Sequence, residues 1–128
     1  ESIYAKSIFH SSGVDTQTTM MLQYKEAQAV LYSGISHTSN VEATISGTKG
    51  RINLNTMWHM AESYTLIKED TKTTFEFPTQ EMGYIYEIEE CHECIRNNAT
   101  QSTLWSHKNS LELIQIVEEV KSQIGLKF

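Results

Sequence analysis

The spacing of apolar residues changes once along the chain, near Gly83. Before that point apolar and polar residues tend to alternate, as in residues 41–46 (VEATIS), and a period of two is typical of a strand with one buried face. After it, apolar residues recur every three or four positions, which is the period of an amphipathic helix. A chain that is strand-like first and helical last is expected to form an α+β domain.

Seven segments in the first part of the chain have strand-like patterns. Short turn signals separate them, so neighbouring strands are expected to pair in a mostly antiparallel, meander-like sheet. Residues 47–50 (GTKG) are predicted to form one of these turns. Pro78 ends the β part, where its missing N–H cannot interrupt a ladder. The predicted strands are residues 2–10, 15–24, 28–36, 41–46, 51–55, 62–69 and 72–77.

Two helices are predicted to follow the strands. Residues 84–97 form the first, since Tyr84, Ile88, Cys91 and Ile95 fall on one helical stripe. The second begins at a cap, either Ser106 or Asn109, and runs to about Ile124, before the C-terminal signal Gly125. We expect one domain over residues 1–128, an open-faced, mostly antiparallel sheet with both helices packed on one face. The other sheet face then needs a partner.

Composition and charge exclude several classes of protein. The 128 residues include ten basic and sixteen acidic side chains, a formal net charge of -6, and such a surface repels the phosphates of a nucleic acid. No apolar run approaches the roughly 20 residues that a membrane span needs. No secretory signal opens the chain and only two cysteines occur, so we expect a cytoplasmic protein. Because the first residue is Glu1 and not Met, we expect part of a longer protein.

The two cysteines form a C-x-x-C pair, Cys91 and Cys94. Such a pair can be a redox couple or half of a zinc site. However, there is no second cysteine pair, and His92 points away from the cysteine stripe. A redox pair usually lies at a helix N-terminus, whereas this one lies deep in a predicted helix behind acidic residues that raise a thiol pKa. We therefore interpret the pair as small core cysteines and predict no metal site.

No other pattern in the chain predicts a reaction. The five histidines form no H-x-x-x-H pair, and no G-x-S-x-G nucleophile motif occurs. The glycine spacing of residues 47–50 does not match a phosphate-binding loop, and the chain lacks the G-x-G-x-x-G of dinucleotide-binding domains. We predict no catalytic and no cofactor-binding residue in these 128 residues, which alone are expected to be inactive.

Four stretches in this order resemble one family. They are the hairpin with residues 22–24 (LQY) and 29–31 (AVL), residues 45–52 (ISGTKGRI), residues 83–95 (GYIYEIEECHECI) and the tail 106–125. Together they are similar to the C-terminal domain of the glucose–fructose oxidoreductase and inositol dehydrogenase family, which includes dihydrodiol dehydrogenase-like members. The resemblance covers nearly the whole chain. It departs from the family at Lys25-Glu26-Ala27, where the first hairpin turn usually has a glycine.

The resemblance implies a full-length oxidoreductase that acts on a sugar, polyol or diol. Its N-terminal Rossmann domain would bind NAD or NADP and carry a catalytic lysine in a Glu-Lys-Pro motif, before Glu1. The present domain would supply a wall of the substrate site, at Met82, Gly83 and Tyr84, although Tyr84 could instead pack its helix on the sheet. The open sheet face would join copies into a homo-oligomer. The alternative is a stand-alone ligand-binding or dimerisation module without catalysis.

Overall fold

The computed structural model describes residues 2–55, 57–80 and 83–127. The chain divides into two compact units, Glu1–Thr38 with Thr103–Phe128, and Ser39–Ser102. The expectation of a single domain over residues 1–128 stays a prediction. The elements in chain order are β1 (Ser2–Phe9), β2 (Asp15–Gln23), β3 (Gln28–Gly34), β4 (Ala43–Gly47), β5 (Gly50–Leu54), a short 3₁₀ helix (Trp58–Met60), β6 (Ser63–Lys68), β7 (Thr71–Glu76), α1 (Tyr84–Arg96) and α2 (His107–Ile124).

The first unit contains a three-stranded antiparallel sheet in the order β1-β2-β3. Its register pairs Ala5 with Met20 and Met20 with Leu31, so these side chains share one face. Helix α2 contacts β1, and among the described residues the buried ones are Ala5, Thr18 and Val120 of α2. The core of this unit is therefore small and lies where α2 meets the edge strand β1.

Capping residues set both ends of α2. The side chain of Ser106 accepts a hydrogen bond from the backbone N–H of Asn109, and Oδ1 of Asn109 accepts one from the backbone N–H of Ser106. Such reciprocal bonds satisfy donors that the first turn leaves unpaired. Gly125 ends the helix with a positive φ of 77°. Both residues predicted as caps take part, Ser106 as the cap and Asn109 as its partner.

The second unit contains a four-stranded antiparallel sheet in the order β4-β5-β6-β7. The predicted turn at residues 47–50 is confirmed, since Gly47 pairs with Gly50 and joins β4 to β5. Gly50 has a φ of 154°, and a Cβ at this position would lie 2.5 Å from the carbonyl oxygen of Ile67. A side chain is therefore excluded there by the neighbouring strand β6.

The α+β class, with antiparallel strands followed by two helices, is confirmed. The strands form two sheets, however, and not the single sheet that we expected. Residues 35–42, between β3 and β4, form no strand, and Val41 there has a left-handed φ of 51°, which interrupts an extended backbone. Helix α2 contacts the first sheet, whereas α1 belongs to the second unit.

Candidate functional site

Two of the three residues predicted to line the substrate site lie at the start of α1. Gly83 is the N-cap residue, with a φ of 86°, and its N–H donates to the carbonyl oxygen of Gln80 over 2.8 Å. Tyr84 is the first residue of the helix and is 64% exposed. A ligand or partner could therefore reach it, and its role in a substrate site stays a prediction. The third residue, Met82, lies outside the described residues.

A cavity of about 450 Å³ lies in the same unit, between β5, the 3₁₀ helix and β6. We call it the β5–β6 cavity. One wall comes from the segment after β7, four residues before Gly83. Polar and methionine side chains make up most of its lining, which consists of Asn55, Met57, Met60, Ala61, Glu62, Ser63 and Thr79.

Hydrogen bonds fix the polar side chains around the β5–β6 cavity. Oε1 of Glu62 accepts from the backbone N–H of Thr79 over 3.2 Å and from its hydroxyl over 2.9 Å. Nδ2 of Asn55 donates to the hydroxyl of Ser63 over 3.2 Å. The carboxylate and the amide are thus held at the cavity by neighbouring elements, and both offer further hydrogen-bonding capacity.

Strained backbone lies beside the same cavity. Met57, which precedes the 3₁₀ helix, has φ 65° and ψ 50°, a left-handed conformation uncommon for residues other than glycine. The next residue, Trp58, donates its N–H to the carbonyl oxygen of Val41 over 3.0 Å, and Val41 is itself left-handed. The connection between β5 and β6 thus contains one left-handed residue, Met57, and its next residue is hydrogen-bonded to a second one, Val41.

The sequence patterns did not single out this cavity. Asn55, Glu62 and Thr79 are contributed by three separate segments and match no motif. The only sequence signal was their position at or just beyond the ends of predicted strands, next to loops, where binding residues are often placed. That signal is too common to select them.

The cysteine pair is not a pair of core residues as we had interpreted it. Cys91 is exposed and Cys94 is partly buried. Partial burial raises the pKa of the Cys94 thiol, and the carboxylate of Glu90, which accepts a weak hydrogen bond from Sγ over 3.7 Å, raises it further. Within the described ranges, no three His, Cys, Asp or Glu side chains are grouped so that they could hold a metal ion.

One face of the first sheet remains open. This face holds large apolar side chains of β1 and β3, with exposed fractions of 57% for Tyr4, 60% for Ile8, 71% for Val30 and 50% for Tyr32. We call these four residues the open face. Lys6 lies on the same face, between Tyr4 and Ile8. In the part of the chain that the structure describes, no helix is both long and apolar enough to cross a membrane.

The chain thus combines an α+β fold with an open sheet face in one unit and a polar cavity in the other, and its sequence is similar to known dehydrogenases. The trans-1,2-dihydrobenzene-1,2-diol dehydrogenase of Xenopus tropicalis is 32% identical over 100% of this chain and 41% of its own length. The human enzyme of the same name is 31% identical over 93% of the chain and 38% of its length. The scyllo-inositol 2-dehydrogenase (NADP(+)) IolU of Bacillus subtilis is 31% identical over 92% of this chain and 36% of its own length.

The chain is therefore homologous to the C-terminal part of these dehydrogenases, which confirms its resemblance to the glucose–fructose oxidoreductase and inositol dehydrogenase family. It spans about two fifths of the length of these curated relatives. No family model matches the chain.

Proposed function

We propose that the chain is the C-terminal domain of an NAD(P)-dependent oxidoreductase that acts on a sugar, polyol or diol. The observation that carries this proposal is the similarity along almost the whole chain to a diol dehydrogenase and to an NADP(+)-dependent inositol dehydrogenase. Two relatives that act on different cyclic alcohols support the general reaction class and leave the particular substrate open.

The catalytic groups and the cofactor site belong to other parts of the full-length protein in this proposal. The sequence contains no G-x-G-x-x-G fingerprint and no Glu-Lys-Pro, so NAD or NADP would be bound by residues outside the 128. The present domain contributes a wall of the substrate site at Met82, Gly83 and Tyr84. The exposed side chain of Tyr84 supports this role.

Self-association through the open face is the second part of the proposal. Large exposed apolar side chains grouped on one sheet face are typical of interaction surfaces, and a sheet face that no other layer covers is expected to be covered in the assembled protein. A stable homo-oligomer would bury roughly 800 Å² per subunit. We also place the protein in the cytoplasm, where two free cysteines stay reduced.

The first experiment is to determine the reading frame upstream of Glu1 and to assay the full-length protein. We expect a Rossmann fingerprint and a Glu-Lys-Pro motif, and reduction of NAD or NADP with scyllo-inositol or trans-1,2-dihydrobenzene-1,2-diol as substrate. A reading frame that starts next to Glu1 would contradict the oxidoreductase assignment. It would favour the alternative of a stand-alone ligand-binding or dimerisation module.

A further inference from the structure

We propose that the β5–β6 cavity binds the hydroxyl groups of a small polyol or cyclic diol, with the Glu62 carboxylate as the main hydrogen-bond acceptor. This inference deepens the proposed function and rests on it for the class of substrate. The cavity lies within one compact unit, and its volume of about 450 Å³ falls in the range of small-molecule sites, roughly 300–1,000 Å³.

The carboxylate of Glu62 is both fixed and available. Its Oε1 atom accepts two hydrogen bonds from Thr79, which hold the group in place. Its Oε2 atom has no hydrogen-bond partner among residues 2–55, 57–80 and 83–127. A hydroxyl group is a donor that suits this free oxygen, and a hydrogen bond to a carboxylate is about twice as strong as one between neutral groups.

Asn55 supplies complementary chemistry on the same cavity. One N–H of its amide is used by Ser63, which leaves a carbonyl oxygen and a second N–H. The Asn55 amide can therefore both donate and accept a hydrogen bond, and the second hydroxyl group of a diol can also do both. A phosphate or carboxylate ligand, in contrast, would be repelled by Glu62.

The remaining walls suit the carbon skeleton of such a ligand. Met57 and Met60 line the cavity and are 41% and 40% exposed. Thioether side chains adapt to irregular shapes and make favourable contacts with C–H groups and with aromatic rings. The left-handed backbone at Met57 is the kind of local strain that concentrates at ligand-binding positions.

The test compares Glu62→Gln with Glu76→Gln in the full-length protein. Glu76 is an exposed residue of β7 that does not line the cavity, and it serves as the matched control. We expect Glu62→Gln to raise the KM and the dissociation constant for scyllo-inositol or trans-1,2-dihydrobenzene-1,2-diol about tenfold, the loss typical of a charged hydrogen bond. We expect kcat within about twofold and no change in the control. Equal KM values and equal dissociation constants in the Glu62→Gln and Glu76→Gln variants would overturn the inference.

Two further measurements distinguish a failure of this inference from a folding defect and from a failure of the proposed function. In the Glu62→Gln variant the new amide oxygen can still accept from Thr79, so equal melting temperatures of the two variants exclude loss of folding as the cause. If the full-length protein oxidises neither alcohol, the proposed function fails, and the cavity is then tested by calorimetric binding of scyllo-inositol. Binding that Glu62→Gln weakens supports the cavity, whereas absence of binding overturns it as well.

Discussion

The side-chain amide of Gln123, in the last turn of α2, is hydrogen-bonded to the backbone of Ala5 in β1. The N–H of Ala5 donates to Oε1 over 2.8 Å, and Nε2 donates to the carbonyl oxygen of Ile3 over 2.7 Å. β1 is an edge strand of its sheet. The N–H of Ala5 and the carbonyl oxygen of Ile3 are on its free side, away from β2. The amide therefore occupies positions that a neighbouring strand would take, and it protects an edge that could pair with another chain.

We expect Gln123→Ala to lower the free energy of unfolding by about 1 kcal/mol, because two backbone groups of β1 lose their protein partners. Urea unfolding of the chain measures this. Gln115→Ala, at an exposed position of the same helix, is the matched control and should have little effect. Alanine has a higher helix propensity than glutamine, so propensity alone cannot cause a loss, and equal losses in the two variants would contradict the edge contact.

The capping box of α2 leads to a second prediction. Ser106→Ala removes the acceptor for the N–H of Asn109, so we expect a loss of about 1 kcal/mol in thermal unfolding followed by circular dichroism. Ser106→Asp keeps an acceptor and should retain most of the stability. Ser122→Ala, at an exposed position near the end of the helix, should be close to neutral, and a similar loss there would argue against the cap.

The two cysteines are expected to react at different rates. The thiolate is the reactive form, and the raised pKa of Cys94 keeps its thiol protonated to higher pH than usual. At neutral pH iodoacetamide should therefore modify the exposed Cys91 first, and the difference should shrink as the pH rises through the pKa of Cys94. Peptide mass spectrometry measures both rates.

Glu90→Gln provides the control for this prediction. It removes the carboxylate that accepts from Cys94 Sγ, so the pKa of Cys94 falls and its modification becomes faster. Glu112→Gln, on the other helix, should change neither rate. If Cys94 reacts as fast as Cys91 in the unmodified chain, the environment described for its thiol is wrong.

Local features could be predicted from the sequence because nearby residues determine them. The turn at Gly47 and Gly50 and the cap at Ser106 depend on neighbours a few positions away. The two separate sheets could not be predicted, since they depend on the conformation of residues 35–42, where Val41 adopts a backbone that its branched side chain disfavours. The helical stripe showed that Cys91 shares a face with Ile88 and Ile95, but it could not show whether another element covers that face.

The cavity was missed for a related reason. Glu62 and Thr79 are 17 positions apart and meet through a hydrogen bond between a side chain and a loop, which leaves no period or motif in the sequence. Gly83 and Tyr84 were predicted only through family resemblance, and their role stays a prediction. Sites that several loops assemble are thus the part of this protein that periodicity does not reveal.

The proposed function leads to a prediction about Tyr84. If Tyr84 forms part of the wall of the substrate site, as we propose, Tyr84→Ala is expected to raise the KM of the full-length protein for the alcohol substrate several-fold. Tyr86→Ala is the control, since Tyr86 is a second exposed tyrosine of α1, at 50% against 64% for Tyr84. Equal effects of the two variants would indicate a general effect on the helix and would contradict a wall specific to Tyr84.

The open face predicts how the protein assembles. Val30→Lys replaces the most exposed apolar residue of the open face by a second lysine, in addition to Lys6. Burying unpaired ammonium groups in an interface is strongly unfavourable. We expect the unmodified protein to sediment as a dimer or larger oligomer at micromolar concentrations and the variant as a monomer. Val14→Lys, at a position that is 48% exposed between β1 and β2, adds the same charge outside the open face and should leave the oligomer intact. A monomeric unmodified protein would contradict self-association, and a variant that stays oligomeric would place the contact on another surface.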